Sequence, residues 1–160
     1  MKKSSLHMPR FNKILCPVDF DPNSLQALRL AGEISQERKA ILHLLHVVDI
    51  AIPAKAEVTA PFDKMEAAVT SKLKRLARQK IDKRVHHELH VETGDPGGQV
   101  LDAAKRLGAD LIVMATHGRK GLRRLILGSV AERIIREAPC PVLTVRPTAR
   151  RVQAARKRAR

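Results

Sequence analysis

Residues 115–130 read ATHGRKGLRRLILGSV, placing Gly118, Gly121 and Gly128 among His117, Arg119, Lys120 and Ser129. Glycines let backbone N–H groups approach an anion closely, and a serine hydroxyl can donate to it. Guanidinium and ammonium groups pair with phosphate oxygens. The apolar run Leu111, Ile112, Val113 and Met114 precedes this segment and reads as a buried strand. A helix is expected to open near Ser129, where Glu132 three residues on completes a capping-box pattern. Strand, glycine-rich loop and helix start together form a phosphate-binding layout, and the helix dipole adds about half a positive charge at that end. His117 is the best-placed acid/base candidate, although shaping the loop is the role preferred for it. The chain has no GxxxxGK[ST], GxGxxG or GxSxG motif, so no established hydrolase or kinase machinery is legible.

Two other sets of reactive side chains compete for a role. Cys16 and Cys140 lack CxxC or histidine-associated spacing and read as small apolar residues in a reducing compartment. His86, His87 and His90 invite a metal. On a strand His86 and His90 share one face with Glu88 and Glu92 while His87 points away, and an exposed edge-strand face is preferred over a metal centre.

These groups must be positioned by secondary structure. Short β-rich runs occur at Ile14–Val18, Ile41–Val48, Val85–Glu92, Leu111–Ala115 and Val142–Val145. Between them, apolar residues recur at helical spacing: Leu25, Leu28, Ala31 and Ile34; Met65, Val69, Leu73 and Leu76; Val100, Ala104 and Leu107; Val130, Ile134 and Ile135. Five strands alternating with four helices predict right-handed crossovers and an α/β fold, an open parallel sheet covered on both faces. In such a sheet ligands bind beyond the carboxyl ends of the strands. The first strand runs into Pro17 and Asp19, the second into Val47, and the fourth into the glycine loop, all at one edge. Asp19 can accept from a base or ribose and Val47 can flank an apolar ring, while the alternative for Asp19 and Asp49 is to cap a turn. The last strand is expected at a sheet edge, where uncovered backbone invites pairing.

Composition limits the function classes. The 160 residues are 44% hydrophobic and suit one domain, 11–147, between a basic extension (1–10) and an Arg-rich tail (148–160) expected to be disordered. The formal charge is +15, but ten of the 31 basic residues lie in residues 1–13 and 148–160, which carry no acid. Residues 14–147 keep 21 bases against all 16 acids, an excess of only +5. The tails suit an anionic partner without sequence discrimination, whereas specific nucleic-acid recognition is disfavoured because stacking aromatics are lacking. No apolar run approaches a membrane span and the basic N-terminus is not followed by a signal-peptide core, so a cytoplasmic location is expected.

The order Ala115-Thr116-His117-Gly118, nine residues, then Gly128-Ser129 resembles the universal stress protein family, whose nucleotide-binding members show Gly-x2-Gly-x9-Gly-Ser/Thr. The resemblance extends through KILCPVDF, LLHVVD, GDPGGQVLDAAKRLGADLIVMATHG and GSVAERIIREAPCPVLTVRP, covering residues 11–147. It implies a Rossmann-like five-stranded fold holding ATP, usually with Mg2+. Pro17, Asp19 and Val47 would surround the adenine. Residues 115–121 (Ala115, Thr116, His117, Gly118, Arg119, Lys120 and Gly121) would line ribose and phosphates, and Gly118, Gly128, Ser129 and Val130 would hold the phosphates. It also implies a homodimer paired through Val142–Val145. One position departs from the pattern: Ala115 stands where the family has its first glycine. The expected function is an ATP-binding stress sensor or regulator rather than a dedicated enzyme. The alternatives are a nucleotide-independent adaptor recruiting an anionic partner through the basic tail, and a slow ATPase or self-phosphorylating protein.

Overall fold

The computed structural model of the chain describes residues 10–49, 62–116 and 127–146. Its elements in chain order are β1 (Lys13–Pro17), α1 (Pro22–Arg38), β2 (Ile41–Val48), α2 (Phe62–Lys80), β3 (His87–Thr93), α3 (Pro96–Leu107), β4 (Leu111–Ala115), α4 (Ser129–Glu137) and β5 (Val142–Val145). The five strands form one parallel sheet in the order β3-β2-β1-β4-β5. The chain thus winds outward from β1 to β3 on one side and continues through β4 to β5 on the other.

Strand alternation divides the core into two layers. Ile14, Cys16, Leu42, Leu44, Leu111 and Val113 pack with Ala27, Leu28 and Ala31 of α1 and Leu73, Leu76 and Ala77 of α2. Leu15, Leu45, Ile112 and Met114 face the other way, onto Val100, Leu101 and Ala104 of α3 and Ala131 and Ile134 of α4. Burial on both faces explains the nearly continuous apolar runs of the inner strands.

Local chemistry sets the helix ends. Asp21 caps α1 by accepting from the Asn23 N–H at 2.9 Å, with Pro22 opening the helix and Lys39 closing it in the left-handed region. Asp95 caps α3 through the Gly98 N–H at 2.7 Å, and Gly108 ends that helix at φ 64°.

Three sequence expectations need correction. The third strand starts at His87 rather than Val85, because the Val85 N–H closes a turn onto the Asp82 carbonyl and its side chain is buried against the α1/α2 layer. The capping box at Ser129 does not form: Gly128 is the N-cap, Ser129 already lies inside the helix, and among the described residues no side chain caps this end. Finally, the β3 face carrying Glu88 and His90 is not simply exposed, since the His90 side chain is only 17% accessible.

Candidate functional site

β1 and β4 are neighbours whose onward connections run to opposite sides of the sheet. Where winding direction reverses, the following loops part and leave a crevice at the carboxyl ends of the strands. Pro17 ends β1, Asp19 follows it, Val47 lies near the end of β2 and Ala115 ends β4. The fold therefore brings these four sequence-chosen residues to one edge, where each is half-buried.

The backbone there is tightly organised. The Val18 N–H donates to the Leu45 carbonyl at 2.8 Å, carrying the β1–β2 pairing past Pro17. Oδ1 of Asp19 accepts from the Asp21 N–H at 3.0 Å, so the carboxylate helps form the turn into α1. The turn alternative weighed for Asp19 is thus realised for one oxygen. Between them Phe20 adopts φ 63°, a left-handed conformation uncommon for a bulky residue. Its ring lies 4.5 Å from that of His46 and 4.0 Å from Lys72 Nζ, while His46 Nδ1 is 2.7 Å from the Val18 carbonyl. Sequence reasoning missed Phe20 and His46. Their signal was positional: an aromatic directly after Asp19 and a histidine directly before Val47, the second of two histidines in the apolar run ILHLLHVV.

On the β4 side, the buried Thr116 donates to the Val145 carbonyl at 3.2 Å, and its own carbonyl accepts from the Gly128 N–H at 2.9 Å. This second bond brings the start of α4 against the end of β4. A Cβ at Gly128 would stand 3.3 Å from the Thr116 oxygen, so a side chain there presses on the backbone that joins the two elements. Ser129 and Val130 form the exposed first turn of α4. Because Gly128 has no side chain to cap them, the opening N–H groups of α4 offer donors and a partial positive charge to an anion. His117, Gly118, Arg119, Lys120 and Gly121 lie outside the described residues, as do the basic segments 1–9 and 147–160.

Ala115 keeps ordinary strand geometry, in register with Val145. Among described non-glycine residues only Phe20 and Lys39 have positive φ, so this position makes no conformational demand for glycine. Cys16 is fully buried in β1, and burial pushes its thiol far above the usual range; burial, helped by Asp110, also raises that of Cys140. Neither thiol resembles an activated nucleophile.

Comparison with known proteins agrees with this architecture. A family model described as the universal stress protein family matches residues 10–146. A universal stress protein of Methanocaldococcus jannaschii is 35% identical over 142 residues, spanning 85% of this chain and 82% of that protein. The solved structure of universal stress protein UspA from Lactobacillus plantarum superposes with a TM-score of 0.74 at 26% identity, covering 87% of this chain and all of that one. A universal stress protein solved in complex with cAMP superposes at 0.64 with 21% identity, over 86% of this chain and 98% of that one, a likeness of fold.

Proposed function

The chain belongs to the universal stress protein family, and we propose that within it this protein is an ATP-binding sensor or regulator that works as a homodimer. The observation that carries the nucleotide reading is the gathering of Pro17, Asp19 and Val47 at the strand edge from which α4 starts at its Gly128 N-cap, across the β1/β4 reversal point. The described residues fit an adenine nucleotide. Pro17 and Val47 offer apolar surface for a base, and Asp19 offers a carboxylate acceptor fixed by its turn. The N–H groups after Gly128 and the Ser129 hydroxyl offer donors to phosphate, and Arg119 and Lys120 of the sequence between β4 and α4 carry charge suited to pair with it. Mg2+ bound with the nucleotide would neutralise part of the phosphate charge. The cAMP complex shows only that a protein of this fold holds an adenine nucleotide.

The dimer reading rests on β5. It is an edge strand, and the exposed large hydrophobics among the described residues, Val130, Ile135 and Leu143, all belong to α4 or β5. Two-fold pairing of that strand would cover an edge otherwise open to uncontrolled association.

Amide chemical-shift mapping of the isotope-labelled full chain with ATP and Mg2+ tests the nucleotide site. Saturable shifts at Asp19, Val47 and Gly128–Val130 are expected. Shifts confined to residues 148–160 would instead mean nonspecific attraction by the basic tail.

A further inference from the structure

Away from the nucleotide edge, the sheet gathers a second set of chemically reactive groups. His43 lies on β2 directly in register with Glu88 of β3, and Leu45 is in register with His90. Residues 43, 88 and 90 therefore share the sheet face covered by α3. His43 Nδ1 stands 3.1 Å from His90 Nε2 and 3.4 Å from Glu88 Oε2, and that oxygen is 3.9 Å from His90 Nε2. One ligand atom from each residue lies within 4.8 Å of the others.

We propose that His43, Glu88 and His90 form a binding site for a divalent transition metal of the zinc class. Tetrahedral zinc with bonds of about 2.0–2.1 Å places its ligand atoms roughly 3.3–3.4 Å apart, and the three observed separations bracket that spacing. Two imidazoles and one carboxylate are a donor set suited to zinc, cobalt or nickel, leaving a position for water or an outside ligand. His43 is almost fully buried and His90 largely so, whereas Glu88 is half exposed and gives the route in. Burial holds both imidazoles below their ordinary proton affinity, which keeps their nitrogens available near neutral pH. Two neighbouring cations oppose added positive charge here, Lys13, whose Nζ donates to the Leu107 carbonyl at 3.0 Å, and Arg106, which is partly offset by its pairing with Glu92. His86, 4.0 Å from the other oxygen of Glu88, stands just outside the trio.

Coordination at Nδ1 places the His43 ring proton on Nε2, which is buried without a hydrogen-bond partner among the described residues. That cost, with only three protein ligands, makes the expected affinity lower than that of a four-ligand structural zinc site. The test uses untagged, chelator-treated full chain titrated with Co2+ and followed by its visible d–d absorption. One saturable equivalent, displaced by Zn2+, is expected. Glu88→Gln and His90→Gln should each weaken binding at least about tenfold while retaining the wild-type circular dichroism. His87→Gln, at the alternate position on β3, should leave binding unchanged. Absence of a saturable band, or a band unaltered by both Glu88→Gln and His90→Gln, would overturn the proposal.

Discussion

His43 and His90 carry the clearest residue-scale consequence for stability. Burial is the main cause depressing both imidazoles, opposed by Glu88, while Lys13 and His86 add repulsion at His43 and Arg106 does so at His90. An unfolded chain titrates these groups near the ordinary value of 6.5, so below that pH it binds more protons than the folded chain. Stability then falls as pH drops, until the folded groups also take up protons. In metal-free protein, the melting temperature is expected to decline below about pH 6.5, with a shallower decline in His90→Gln; an identical pH profile in that variant would contradict the assignment. The histidine cluster was only partly legible in the sequence. The alternation of Glu88 and His90 was visible, but His43 sits amid the apolar run ILHLLHVV and joins them only through parallel pairing of β2 with β3. Cross-strand register is set by the whole sheet, so no local pattern could reveal it.

At the scale of elements, polar side chains at helix starts decide how α3 and α4 sit. Asp95 accepts from the Gly98 N–H to cap α3 and also pairs with Arg133 of α4, tying the two helices together at their solvent side. Asp95→Ala should cost about 1 kcal/mol through the lost cap, and less through the exposed ion pair, lowering the melting temperature by a few degrees in a thermal scan. An unchanged transition would show that the cap adds nothing. The helices were readable because their apolar residues recur at helical spacing, and the inner strands because burial on both faces makes them short, nearly continuous apolar runs. The boundaries were less so. Ser129 looked like an N-cap from its type and from Glu132, yet the Gly128–Thr116 backbone bond starts the helix one residue earlier, and among the described residues no side chain caps its first turn. That substitution of a tertiary contact for a local cap is what exposes donors where phosphate is proposed to bind.

For the whole molecule, the two halves of the winding put β5 at an edge of the described sheet and set the β1/β4 reversal point apart from the histidine cluster on the other side of β1. If β5 is the dimer interface, Leu143→Asp, placing a charge at an exposed apolar position on the edge, should convert the protein to monomer in sedimentation equilibrium with its circular dichroism unchanged. A variant that remains dimeric would locate the interface elsewhere. The chain-wide charge of +15 attracts any polyphosphate, so nucleotide recognition must be separated from that background field. The most direct measurement is calorimetric titration of the full chain with ATP and Mg2+, alongside GTP, Gly128→Val and Ala115→Gly. Saturable adenine-selective binding is expected, lost in Gly128→Val, whose side chain would press on the Thr116 carbonyl, and altered less than about tenfold in Ala115→Gly, because Ala115 already holds strand geometry. No binding in the wild type, or equal binding of ATP and GTP that survives Gly128→Val, would contradict the nucleotide site.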